Sequence, residues 1–387
     1  MRHAAATRGP SLASLLTLLG TVGCHGGYVL KSAVFQAELL ASREPIPRAL
    51  ERSDLDQEKT RKLALVPRIK AFGESLGLSP VRSYRSVARG WDRTIVNLSA
   101  CPPLSLEPRT WWFPIVGRVP YLGFFRTQDA ARWQRRLEAD GYEVWTRPVG
   151  AYSTLGWFRD PVLPGMLDWP EHRLAEVILH ETAHATLWVP GEVGFNETYA
   201  VVVGEEASRR WMLAEYGEGS EAVLRMDDER RDQALWRALL ERVYQDLDSL
   251  YQNQNISPES KLRAKRERFA RMELDIQSMG AKDPARLQRA LREEVWNNAH
   301  IMQAHAYDDH RTPLSALLAR HGGDLRAFTE VLRERIAAGV DPWMAVEAAS
   351  GPTSGPHGGW IKNCLSEADR PGAPCHAWWS ADHGSGP

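Results

Sequence analysis

The sequence is poor in most features that assign a function quickly. It holds only four cysteines in 387 residues, at positions 24, 101, 364 and 375, and none stands in C-x-x-C spacing. A cysteine-based zinc site is thereby excluded. Neither sign of charge is in excess, with 48 Lys and Arg against 49 Asp and Glu. Such a balance gives no electrostatic footprint for nucleic acid. Long hydrophobic runs are missing too. The N-terminal run "SLASLLTLLGTVG" is about 13 residues long, against the ~20 needed to span a bilayer. No nucleophile elbow, P-loop or dinucleotide-binding glycine pattern occurs in a strand-to-helix setting. There is no internal repeat.

The features present are those of an exported globular chain. Hydrophobic residues make up 43% and charged residues 25%, with 15 tryptophans. That is enough for one large domain or two ordinary ones with a well-filled core. Arg2 and Arg8 precede the apolar run, which ends in small residues before Cys24. This resembles a bacterial lipobox, although Thr21 stands where Leu is usual. Residues 1–23 are therefore expected to be a lipoprotein-type signal peptide and Cys24 the lipidation site, with a plain secretory peptide or an uncleaved anchor as alternatives. The mature chain is expected in the bacterial cell envelope, held to the membrane by its N-terminal lipid and facing the periplasm. That compartment permits disulfides, and Cys364 with Cys375 is the nearest pair, leaving Cys101 free.

The expected fold is α+β and predominantly α. Residues 24–75 read as helical, interrupted at Pro67, and residues 80–118 as mixed. "VPYLGFF", "TQDAARWQRRLEADG" and "YEVWTRPV" form a small β-α-β element, with Thr127 as a possible N-cap. Helices follow at 171–188 and 196–216. Trp236, Leu240, Tyr244, Leu247 and Tyr251 mark the apolar face of another. Two long charged C-terminal helices come next, the second running through "DPARLQRALREEVWNNAHIMQAHAY". The domain is expected over residues 24–345, before a weakly ordered Gly/Pro-rich tail at 346–387.

Chemistry concentrates in "VILHETAHATLWVPGEVGFNETYA", residues 177–200. On a helix His180 and His184 lie ~40° apart, so both imidazoles can reach one ion. Glu181, ~100° from His180, suits a general base acting on a metal-bound water. This is the H-E-x-x-H pattern of zinc peptidases. Catalytic zinc needs a third protein donor and an open position. Asn196 is a possible cap for the next helix, placing Glu197 in its first turn. Glu197 then shares its face with Ala200, Val201, Gly204 and Ser208, small enough for close approach to the first helix. Glu205 and Glu206 point elsewhere, and Tyr199 faces away. Without a metal, burying these polar groups costs several kcal/mol unless each finds a partner.

The Glu on the following helix, in an N-E-x-x-[AS] setting, resembles the gluzincins, with a tight hairpin in place of their longer connection. "LHETAH", "FNETYA", "GEEASRRW", "LSLEPRTWWFP", "YLGFF", "AYSTLGWFRDPVL" and "NNAHIMQAHAY" together resemble a bacterial family of predicted aminopeptidases, often lipoproteins, over about residues 24–340. The resemblance implies a gluzincin-like core, one Zn2+ per chain on His180, His184 and Glu197, and a peptide substrate. It also implies Tyr152 as oxyanion donor, with Tyr307 as second choice, although a packed loop aromatic is the plainer reading of Tyr152. The family's local cysteine pair is replaced here by Trp112 and Arg118. The G-x-M-E-N strand by which gluzincin aminopeptidases bind the substrate amine does not occur. Glu205 is the candidate for that role, or for a hydrogen bond to a zinc-ligand histidine, or for a salt bridge. The expected activity is zinc-dependent peptide hydrolysis, in aminopeptidase mode by resemblance. The alternative is a non-catalytic zinc-binding envelope lipoprotein acting in assembly or interaction.

Overall fold

A computed structural model describes residues 26–52, 56–91, 93–113, 117–149, 159–305 and 311–350. The expected signal peptide, Cys24, Cys364 and Cys375 lie outside these residues.

The N-terminal part is helical, as its composition suggests: α1 (Gly26–Ala41), α2 (Ile46–Leu50) and α3 (Gln57–Ser75). Asp56 caps α3 by accepting from Lys59 N at 2.8 Å. Pro67 does not interrupt α3, contrary to expectation. A proline there removes one backbone bond. The fully buried Leu63, Val66 and Ile69 hold the helix in place against that loss. A short antiparallel pair, β1 (Arg43–Pro45) with β2 (Ser86–Ala88), ties this region together.

A three-stranded sheet follows, built from β3 (Ile95–Cys101), β6 (Leu122–Phe124) and β7 (Glu143–Val149), in the order β6-β3-β7. The β-α-β element is present as β6, α4 (Thr127–Ala139) and β7. Its two strands do not pair, because β3 lies antiparallel between them. Sequence reading missed β3. Every residue of "IVNLSAC" is buried, and the alternation of Val96, Leu98 and Ala100 with Asn97 and Ser99 is the signal that could have found it. Arg126, not Thr127, occupies the cap position of α4.

Trp112 and Arg118 stand directly opposite each other in the hairpin of β4 (Trp111–Phe113) and β5 (Gly117–Val119). The two positions that lack the resembling family's cysteines are therefore a cross-strand pair. Ladder hydrogen bonds and the buried Trp111 and Phe113 hold the two strands together at these positions without a disulfide.

After β7 the described elements are all helices. A 3-10 turn at Pro164–Asp168 leads into α5 (Glu171–Thr186), and six residues later α6 (Val193–Tyr216) returns along it. Then come α7 (Glu221–Gln252), α8 (Pro258–Ser278), α9 (Pro284–Arg292), α10 (Asn298–His305), α11 (Arg311–Arg320), α12 (Leu325–Ala337) and α13 (Pro342–Ser350). The second charged segment is two helices, not one. The chain breaks between α9 and α10, where Trp296 donates to Leu291 O at 3.1 Å and Asn297 donates to Val144 O at 2.9 Å. Those bonds replace the helical ones. Residues 346–350, expected in the tail, belong to α13, and the rest of that expected tail lies outside the described residues.

Three apolar clusters fill the molecule. The largest packs α3, α5, α6 and α11–α13 around Ile178, Leu179, Phe195, Tyr199 and Phe328. A second lies between the sheet and α4. The third joins α7–α10 through Leu239, Leu240, Val243 and Leu247, with Trp236, Tyr244 and Tyr251 at its edge, as the helical face predicts. No helix among the described residues is long and apolar enough to cross a membrane.

Candidate metal centre

Fifteen of the sixteen residues of α5 are buried, so the helix is an axle of the main core. Its polar side chains must find partners inside. Most do. Glu171 accepts from Arg61 at 2.9 Å and from Trp211 at 3.1 Å. Glu229 accompanies His172 at 3.2 Å, and Glu176 accepts from Arg230 at 3.3 Å. Thr182 and Thr186 donate to carbonyls one turn back.

His180 and His184 are different. Their Nε2 atoms face each other at 3.1 Å, with the rings perpendicular and 4.7 Å apart. Glu197 enters from α6, its carboxylate oxygens 3.6 Å from His180 Nε2 and 3.5 Å from His184 Nε2. Both Nδ1 atoms are buried without a hydrogen-bond partner among the described residues. Donors of a tetrahedral zinc, each about 2.0–2.2 Å from the ion, lie roughly 3.3 Å apart. The three observed separations match that span. Two neutral imidazoles brought nitrogen to nitrogen also need a proton or a cation between them. Zinc therefore fits these residues. Among the described residues this is the one cluster of three or more potential ligands.

The electrostatics agree. Burial opposes charge on the His184 imidazole, but the Glu197 carboxylate outweighs burial and holds it above its ordinary value. Burial would likewise raise the Glu197 carboxyl, yet His184 and His180 keep it well below the usual carboxylate range. The pocket thus favours a cation beside an ionised Glu197.

The approach of the two helices depends on Gly204. A Cβ there would meet Glu176 O and the His180 backbone N and Cβ, each at 3.1 Å. The small-residue face read from the sequence does this work.

Asn196 does not cap α6. The helix starts three residues earlier, with Glu192 at the cap position, so Glu197 lies beyond the first turn. The Asn196 amide instead accepts from Val189 N and donates to Val189 O, both at 2.8 Å. The polar demand of the hairpin backbone outcompetes the cap. Tyr199 faces away, its hydroxyl 2.8 Å from Thr329 Oγ1.

Glu205 pairs with Arg311, and neither site histidine donates to it. Of the roles open to it, the structure displays the salt bridge and not the orienting hydrogen bond. Its charge presses on Glu176, whose carboxyl is pushed up to about 7 by burial first and Glu205 second. Tyr152 and Tyr307 lie outside the described residues. Cys101 is a buried free thiol, raised above its ordinary value chiefly by burial.

Sequence reasoning missed Tyr84. It is 1% exposed, adopts φ +59°, and its hydroxyl has no hydrogen-bond partner among the described residues. Burial raises its phenol well above the ordinary value, and the negative charge of Glu181 adds to that. No residue pattern announces a tyrosine in the left-handed region. The string Gly73–Gly77, "GESLG", has the letters of a serine-hydrolase elbow. Ser75, however, ends a helix and donates to Phe72 O at 2.7 Å, which is the wrong setting for a nucleophile.

No curated protein and no solved structure matches the chain significantly. A family model described as "Putative aminopeptidase" matches residues 27–339, most of the chain. With the helical hairpin and its His-His-Glu cluster in place within that span, the chain belongs to this aminopeptidase family.

Proposed function

We propose that the protein is a zinc-dependent peptidase with a gluzincin-like core, using His180, His184 and Glu197 as ligands and Glu181 as general acid/base. The observation that carries this reading is the convergence of the three donors at 3.1–3.6 Å inside the main core. Three protein donors, the number the described residues bring together, is the set used by catalytic rather than structural zinc. This favours turnover over a purely assembly-related role.

A zinc ion held there supplies Lewis-acid polarisation of the scissile carbonyl and lowers the pKa of a water toward ~7. Glu181, one position from His180 and 7% exposed, takes the proton from the attacking water and delivers it to the leaving amine. Burial strengthens each of these charge interactions by excluding solvent. Tyr152 remains our candidate for the oxyanion. Release of a free N-terminal residue is part of the proposal and follows the family. Glu205 serves the substrate amine only if Arg311 is displaced. The lipid on Cys24 and the envelope location are likewise proposed, on residues 1–24 alone.

The deciding experiment is metal analysis of purified protein with peptide digestion by wild type and Glu181→Gln. Wild type should hold one zinc and cleave. The variant should hold zinc and lose turnover. Full activity in Glu181→Gln sinks the mechanism. Equal cleavage of a peptide and its N-acetylated copy removes the aminopeptidase mode.

A further inference from the structure

His180 and His184 share one face of α5; the helix ends at Thr186, Leu187 is extended, and beyond it the Trp188 ring comes against the His184 ring, making a stripe of three rings. Exposure climbs along this stripe from 2% to 6% to 39%. Glu197 also sits near this end, close to the start of α6. An exposed side chain, Trp188, thus stands against the buried donor cluster.

Single exposed aromatics are ordinary on protein surfaces. Two observations separate Trp188 from that background. Its ring stands edge-on to the ring of His184, with centroids 5.6 Å apart at 69°. The backbone on both sides of it is also held from within. Arg333 donates to Thr186 O at 2.9 Å, and Asn196 clamps Val189 through both its N and its O. The amide of Asn196 is fully buried, and it fixes the residue next to Trp188 rather than the helix start. An apolar side chain held beside a ligand histidine and still 39% exposed is pre-organised to receive an apolar group.

We propose that the exposed face of Trp188 forms the wall of a substrate subsite that selects an apolar side chain next to the bond being cut. The inference rests on the peptidase reading for its ligand and deepens it by naming the substrate class: peptides with a bulky apolar residue at that position. A leucine side chain half-covered by the indole gains about tenfold in affinity over a hydrogen atom there.

The test uses zinc-loaded protein and two probes, leucine hydroxamate and glycine hydroxamate, with binding followed by calorimetry. Wild type should bind the leucine probe about tenfold more tightly. Trp188→Ala should bring the ratio close to one while glycine hydroxamate binding and zinc content stay unchanged. Trp188→Phe should keep the preference, and this variant preserves the ring contact should the alanine form prove unstable. An unchanged ratio in Trp188→Ala overturns the proposal. So does an equal loss for both probes, because Trp188 would then act only through His184. Binding needs zinc but no turnover. A protein that shows the ratio yet never cleaves peptides fails the peptidase reading alone.

Discussion

Gly204 of α6 lies so close to His180 of α5 that a methyl group would press on the histidine at 3.1 Å. The atoms it would meet are backbone and Cβ, which cannot swing aside.

Gly204→Ala sets two effects against each other. Alanine gains about 1 kcal/mol of helix propensity over glycine. Overpacking a tight contact costs about 1–3 kcal/mol. The contact should win, parting the helices by a few tenths of an ångström and spreading the donors. Zinc affinity, measured by chelator competition, should fall about tenfold, and the melting midpoint should drop. Wild-type affinity and stability in this variant would show that the helix pair has slack.

Metal removal should be visible as stability. A ligand at 1,000 times its Kd stabilises the native state by about 4 kcal/mol. Chelation should therefore lower the melting midpoint of wild type by several degrees. Glu197→Ala, which lacks one donor, should melt at the same temperature with and without chelator. A chelator shift of wild-type size in Glu197→Ala would remove Glu197 from the ligand set.

Tyr84→Phe tests the buried phenol. An unmet hydroxyl in the core carries a desolvation cost of about 1–3 kcal/mol, so its deletion should be neutral or stabilising in chemical denaturation. The strained φ is untouched by this change. A loss of more than about 1 kcal/mol would mean that the hydroxyl has a partner in the folded protein, such as an ordered water.

Glu176→Gln should change the pH dependence of stability. The Glu176 carboxyl is raised from an ordinary 4.5 to about 7 by burial and by Glu205. Between those values the native state binds a proton that the unfolded chain has released. Wild-type stability from this group is therefore full below about 4.5 and is lost as pH rises through about 7. Glutamine keeps an acceptor for Arg230 and has no proton to lose. The variant should gain about 1–3 kcal/mol on wild type across that window in urea titrations at several pH values. Parallel curves would show that the titrating carboxyl is elsewhere.

Much of the centre was legible because it is local. His180, Glu181 and His184 follow from helical spacing, and Glu197 from the small residues that share its face. The unreadable parts depend on distant segments. Asn196 looks like a cap in sequence, and only the folded hairpin offers it the Val189 backbone. For Glu205 a salt bridge is one of the roles sequence leaves open, but its partner Arg311, more than a hundred residues away, cannot be named there. The strand β3 carries a short alternation of Val96, Leu98 and Ala100 with Asn97 and Ser99, but burial of its polar face as well is set by distant segments and does not show in that pattern. Pro67 misled in the other direction, since buried neighbours override its local preference.

The six-residue connection between α5 and α6 also bears on when the centre forms. The outermost donors, His180 and Glu197, are 17 positions apart, and contacts this short in sequence close in microseconds, long before a sheet with non-local pairing assembles. Ion capture can thus run ahead of the finished core and act as a nucleus for it. Refolding should then speed up with zinc concentration. The same shortness would let the unfolded chain keep a weak grip on an ion through the paired histidines, which subtracts from the stability that the ion adds to the native state.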